Sequence, residues 1–412
     1  MLKNKMNNIT KTIILIFALS VYVICAYTFS RHQAYYNIYG LGNGDKISYE
    51  RARVVSIDSQ NVEPDKHYRN LLIGSQQITI HILTGEYKDK EMKITNGLNY
   101  DTNYLLKAGD NIVVSINTAG NSKNKNVNVF VYGPYRQPWL YVLIGLFVIA
   151  LCLIGGKRGL KSVIGIVFTI TSVIFIFVPL IYNGFSPISA SLLMAIFTAC
   201  VTLILTTGFE IKTFSAILGT AVGVVLSSLI LLIFEHLTSL SGYNMPEYDS
   251  LMALSTHTGL HVDELLFAAI IISSLGAVMD IAISIASSIQ EIYAANHNLT
   301  SKMLFKSGIN VGRDMMGTMA NTLILAFTGT SLNMLILIYS YNMNYYQIFN
   351  SNTITIEIIQ AISGSFAVIF TVPLVSFISA TLLPLFSGGN AKNINVEIPI
   401  QNNTDKNSVN QT

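Results

Sequence analysis

The stretch Leu265–Tyr293 reads LLFAAIIISSLGAVMDIAISIASSIQEIY, and its reading decides the fold. It is long and apolar enough to cross a bilayer, for which roughly 20 residues suffice. One acid, Asp280, interrupts it near the middle. Ser284, Ser287 and Glu291 follow at steps of four, three and four, so the four side chains share a helical face. A charge at that depth is costly and turns toward protein or water rather than lipid. Asp280 is therefore expected to be a buried acid inside a helical bundle.

Working outward, eight segments have the length and character of membrane spans: 12–30, 138–155, 162–182, 187–207, 214–235, 265–292, 315–338 and 361–386. The composition agrees. Of 412 residues 51% are hydrophobic and only 11% charged, against about 25% charged in soluble domains. A net charge of +3 is too small to argue for nucleic acid. The chain divides into 1–30 (a cytoplasmic N-terminus and an uncleaved anchor helix), a polar block at 31–137, a seven-helix region at 138–386 and a polar, Asn-rich tail at 387–412 expected to be disordered. Cys25, Cys152 and Cys200 all lie in apolar stretches without metal-ligand spacing and read as small buried hydrophobes.

Lys and Arg orient the spans. Lys3, Lys5 and Lys11 precede the first; Lys157, Arg158 and Lys161 join the second and third; Lys212 joins the fourth and fifth; Lys302, Lys306 and Arg313 join the sixth and seventh. The alternate loops 183–186, 236–264 and 339–353 hold no Lys or Arg. Both termini are thus expected in the cytoplasm, with 31–137 on the far side of a plasma membrane. The third to fifth and sixth to eighth spans then run in opposite senses, an arrangement found in inverted-repeat transporters, although the two triplets share no residue-level similarity.

The 31–137 block reads as β-structure. Ile78, Ile80 and Ile82 alternate with polar residues, as do Val127, Val129 and Val131; Arg51–Asp58 and Asn111–Ile116 are strand-like too. Gly85-Glu86, Asn96-Gly97, Gly109-Asp110 and Gly120-Asn121 read as turns between them. Five or six short strands imply a small antiparallel, OB-like barrel with a structural or partner-binding role. Its strands carry no aromatic platform interleaved with basic residues, so nucleic acid is not an expected ligand.

The seventh span continues the polar theme of the sixth. Asp314, Thr318, Asn321 and Thr328 recur near helical spacing after Gly312-Arg313. Polar stripes on adjacent helices are expected to face each other in lipid. Arg313 or Lys306 is placed to pair with Glu291; Asp280 lies roughly 16 Å deeper at 1.5 Å per residue, with Asn321, Thr322, Ser363 and Ser365 as expected neighbours. Two readings of Asp280 stand: it binds a cation or relays a proton, or it holds helices together. His257, His261 and Glu264 would share a face if their segment were helical, a weak metal-site candidate. Ala294–Arg313, where Lys302 and Lys306 flank Met303, Leu304 and Phe305, reads as a short amphipathic segment at the headgroups. Glu357 and Gln360 read as flanking the start of the eighth span, and Gly219-x-x-x-Gly223 as a helix-packing motif. No nucleophile–base set, phosphate loop or HExxH motif occurs, so no enzymatic activity, cofactor or resident metal is expected.

GAVMDIAISIASSIQEI (276–292) and GRDMMGTMANTLILAFTG (312–329) resemble the YibE/F-like family of bacterial membrane proteins. The resemblance extends over 138–386 and more softly over the β-rich block. It implies a multi-pass plasma-membrane protein and supplies no mechanism. Asp280, Arg313, Asp314 and Asn321 lie within the resembling strings. The expected partners are the bilayer, an unidentified small solute or ion carried by a permease-like bundle, and a membrane-protein partner or second copy. The alternative is a scaffold or partner subunit working through its external β-domain.

Overall fold

Alternating strands in the first part of the chain and long apolar runs in the second give a β-domain followed by a helical membrane region, as the residue patterns imply. The computed structural model describes residues 2–31, 46–68, 71–100, 102–119, 126–245 and 248–387. The tail at 388–412 and the Gly120-Asn121 turn lie outside the described residues.

Five antiparallel strands, β1 (Lys46–Pro64), β2 (Leu72–Ile82), β3 (Glu91–Leu98), β4 (Asn111–Ala119) and β5 (Asn126–Pro134), form one sheet in the order β3-β2-β1-β4-β5. β1 pairs with β2 on one side and β4 on the other, and it bends at register shifts between Val54 and Ser56 and between Ile57 and Ser59. Such bulges sharpen the twist. The outer strands β3 and β5 thereby come together without a hydrogen-bonded ladder, so the barrel is partly open. Ile78, Ile80 and Ile82 fill it with Val54, Ile112, Val114 and Ile116.

Gly85 (φ 82°) and Gly109 (φ 95°) do stand at turns, but Asn96-Gly97 lies inside β3. The reason is chemical: Asn96 is recruited to a buried polar network. Its Nδ2 donates to Gln76 Oε1 (3.0 Å) and to the Tyr104 carbonyl (2.9 Å). Gln76 Nε2 donates to Gln60 Oε1 and the Leu106 carbonyl, both at 3.1 Å, and Gln76 Oε1 also accepts from Leu106 N–H. These bonds tie the segment before β4 to β2 and β3. Gln76→Ala orphans several buried groups, each costing about 1–3 kcal/mol. It is expected to speed amide exchange at 104–106 and in β3 by at least tenfold, measured by hydrogen–deuterium exchange on the full chain.

The helical elements are α1 (Leu2–Arg31), α2 (Gln137–Ser172), a π turn at Val173–Phe177, α3 (Val178–Tyr182), α4 (Pro187–Thr207), α5 (Ile211–Thr238), α6 (Tyr248–Ser255), α7 (Leu265–Ala295), α8 (Ser301–Thr330), α9 (Leu332–Ser340), α10 (Tyr345–Phe349) and α11 (Asn352–Ser387). Among the described residues five stretches are long and apolar enough to cross a membrane, or six if α8 and α9, bent by 63°, form one span. The expected eight differ for a local reason. Segments 138–155 and 162–182 run on without a loop, but α2 breaks at Gly156 (φ 53°, ψ −128°). The chain turns so sharply there that a Cβ on Gly159 would lie 1.9 Å from the Leu151 carbonyl oxygen. The first expected span falls within α1, whose described apolar part is Phe17–Arg31.

Two boundaries move inward along the chain. α8 starts at Ser301, so the expected amphipathic surface segment is its first turns, and Leu304 is buried in the core. α11 starts at Asn352, which puts Glu357 inside the helix rather than before it. The helical core centres on α7, whose Val278, Ile281, Ala282, Ile285, Ala286 and Ile289 are fully buried.

Candidate functional site

α7 packs on α4, α5, α8 and α11. Around it, α4 also packs on α5, α5 on α11, and α11 on α8, whereas among the described residues α4 and α8 have no substantial packing on each other. The neighbours thus form an arc that leaves one side of α7 open. The apolar face made by Val278, Ile281, Ala282, Ile285 and Ile289 fills the arc. The opposite row, Ala269, Ser273, Gly276 and Asp280, is exposed, and it continues through half-buried Ser284 and Ser287 to exposed Glu291.

This corrects the expectation for Asp280. The acid is not sealed inside the bundle; it stands on the uncovered side of α7. The physical reason is that the apolar positions of α7 suffice to make the core with four neighbours, which leaves its polar row outside. For the same reason the two polar stripes do not face each other. α7 meets α8 through apolar and glycine positions: a Cβ on Gly312 would lie 3.2 Å from Ile285 Cδ1, and one on Gly308 2.6 Å from Ile289 Cδ1. Arg313, Asp314, Thr318 and Asn321 are all exposed.

Local bonds absorb the hydroxyls. Thr318 Oγ1 donates to the Met315 carbonyl (2.8 Å), Thr322 Oγ1 to the Thr318 carbonyl (2.8 Å) and Ser288 Oγ to the Ser284 carbonyl (2.9 Å). Among the described residues Glu291 makes no ion pair with Lys306 or Arg313, and Asp280 no hydrogen bond with Asn321, Thr322, Ser363 or Ser365. Ser363 and Ser365 are buried in α11.

The His257–Glu264 segment is not helical: it follows α6 as turns and bends, so the shared face needed for a metal site does not form. Glu264 has other work. Its Oε2 accepts from Ser186 Oγ and from Ile188 N–H (3.3 Å) at the start of α4. A carboxylate there satisfies free N–H groups and complements the helix dipole. Gly259 lies so close to Gly184 that its Cβ would be 2.7 Å from the Gly184 Cα, and Gly242 N–H donates to the Asp263 carbonyl (2.9 Å). The segment fastens the ends of α3, α4 and α5. Among the described residues no three His, Cys, Asp or Glu side chains form a metal-binding group, and the three cysteines are free.

At the other end of α7, Glu210, just before α5, binds Lys212 Nζ (2.8 Å) and accepts from Gln290 Nε2 (3.3 Å). The hydrogen bond from Lys212, aided by Gln290 and against some desolvation, holds this carboxyl below the usual Glu range. A lowered folded pKa adds stability above the unfolded value of about 4.3, lost as pH falls through the folded value. Protection of the first turn of α5, corrected for intrinsic exchange, is expected to fall below about pH 4; Lys212→Met should flatten that dependence.

Sequence reasoning found the polar row of α7 and its spacing. It missed the Gln76–Asn96 network, whose only signal is a pair of amides within apolar strands, and the seat of Glu264 at the start of α4. Two family models match the chain: the YibE/F-like protein model over residues 143–385 and the YibE/F family N-terminal domain model over 47–133. No curated protein and no solved structure matches it. The two matches follow the helical region and the β-domain respectively, and the chain belongs to the YibE/F-like family.

Proposed function

We propose that the helical bundle carries a small solute or ion, in the first instance a cation, along the open side of α7, with Asp280 as its charge-bearing group. One observation carries this reading: the uncovered side of α7 is the polar row Gly276, Asp280, Ser284, Ser287 and Glu291. Lipid solvates such a row poorly, since an acid at a helix centre costs about 2.5–3.5 kcal/mol there. Water, a passing ion or another protein must cover it. Arg313, Asp314, Thr318 and Asn321, exposed on α8, do not face that row and are proposed to extend the polar path along the neighbouring helix. The reading makes the chain a carrier rather than an enzyme, in a plasma membrane with both termini cytoplasmic and the 31–137 block outside, as the Lys and Arg distribution implies.

The test is a flux screen. Purified protein in liposomes, loaded with dyes sensitive to protons, alkali cations or divalent cations, should move one of them faster than protein-free liposomes. Single cysteines at 276, 284 and 287 should react with a membrane-impermeant maleimide. Absence of both flux and labelling ends the carrier reading.

A second reading has an observation of its own. Gly317, Thr318 and Asn321 are exposed on α8, and small and hydroxyl residues favour close helix contacts in membranes. A second copy or another membrane protein would then cover the polar row. Thr318→Cys cross-linking within the native membrane, with Asp280→Asn silent in flux, would favour that partner-subunit role.

A further inference from the structure

We propose that the cleft at the α8–α9 bend binds an apolar ammonium ion, its charge on Glu357 and its hydrocarbon body on the surrounding walls. The 63° bend between α8 and α9 opens a cleft of about 320 Å³ against the first turns of α11. Ile324, Phe327, Leu335, Ile338, Ile358 and Ile362 supply most of its wall. Among the described residues Glu357 is the only charged one lining it, and its Oε2 is buried without a hydrogen-bond partner. A buried acceptor left unmatched is costly and marks a place where a donor belongs.

The neighbouring stretch of chain supplies no cationic donor. Residues 314–391 contain no Lys, Arg or His. Of the three hydroxyls lining the cleft, on Thr328, Ser331 and Thr353, two have spent their protons: Thr328 Oγ1 donates to the Ile324 carbonyl (2.7 Å) and Ser331 Oγ to the Phe327 carbonyl (3.0 Å). What they still offer is oxygen lone pairs. A carboxylate and two hydroxyl acceptors on a greasy wall select a cation that donates hydrogen bonds and exclude an anion. A bare, strongly hydrated metal ion gains nothing from the hydrocarbon lining. A protonated amine on a compact apolar body matches both.

The site stands apart from the polar row of α7, so the two readings can fail separately. The experiment uses the full chain in nanodiscs of phosphatidylcholine and three probes with one cage: 1-aminoadamantane, 1-adamantanol and 1-adamantanecarboxylate. Calorimetry should show saturable binding of the amine, at least tenfold weaker binding to Glu357→Gln, and no binding of the carboxylate. The alcohol should bind wild type and Glu357→Gln alike. Leu335→Trp, which fills the cleft from an exposed wall position, should block amine and alcohol together. Equal amine affinity in wild type and Glu357→Gln, uptake no greater than by empty nanodiscs, or binding of the carboxylate would overturn the proposal.

Discussion

Asp280→Asn should lower cation flux about a hundredfold while the protein still purifies as a monodisperse species. The magnitude follows from removing the one acid on the α7 row at that depth. A charge-assisted hydrogen bond to a passing cation is worth about 2–3 kcal/mol there, and each 1.4 kcal/mol is tenfold in an equilibrium constant. Folding should survive, because Asp280 is exposed and the core of α7 is made by Val278, Ile281, Ile285 and Ile289. Asp280→Glu, which keeps the charge and moves it by one methylene, should retain a measurable fraction of the flux. Asn and Glu variants with wild-type flux would shift the assignment to the partner-subunit reading, because a conduit with no dependence on its central acid is not the one described above.

The same residues show how much the sequence made legible. Period-two alternation at Ile78, Ile80 and Ile82 located a barrel strand, since one face of a strand must be buried. Spacing of four, three and four placed Asp280 with Ser284, Ser287 and Glu291 on one face, and the structure keeps them on one face. What spacing cannot give is the direction in which that face points. A helix whose opposite side is mostly apolar satisfies four neighbours with that side alone, and depth in sequence then says nothing about burial in the bundle. Boundaries failed for a related reason. Hydropathy marks where apolar residues are dense, whereas α8 and α11 begin one or more turns earlier, among polar residues that the helical backbone accommodates. The role of Glu264 was not legible because its partner, the start of α4 at Ser186 and Ile188, is remote in sequence.

A second GxxxG motif, Gly308-x-x-x-Gly312, mirrors Gly219-x-x-x-Gly223, and the pair leads to the largest expected loss of stability. α11 packs on α5, α7 and α8 at once. On α5, a Cβ at Gly219 would lie 2.1 Å from Val375 Cγ2 and 3.2 Å from the Val375 Cα, and one at Gly223 2.2 Å from Thr371 Oγ1. On α8, a Cβ at Gly312 would lie 2.2 Å from Val372 Cγ1, and one at Gly308 2.7 Å from Ser376 Oγ. One short stretch of α11, Thr371 to Ser376, is therefore held between two glycine furrows. Small residues permit such approach where no hydrophobic force distinguishes helix from lipid. Gly219→Ala should cost about 1–3 kcal/mol, the usual penalty of overpacking, and Val375→Ala should restore part of it by vacating the space. Gly219→Leu and Gly308→Leu, which add three more carbons to the same furrows, should prevent recovery of a monodisperse protein. Gly276→Ala is the internal comparison. Nothing lies within 4 Å of its would-be Cβ, so it should be neutral or stabilising by up to about 1 kcal/mol through helix propensity. Thermal unfolding in a fixed detergent ranks Gly219→Ala, its double variant with Val375→Ala, and Gly276→Ala. If Gly219→Ala and Gly276→Ala melted together, the furrow on α5 would not be what holds α11.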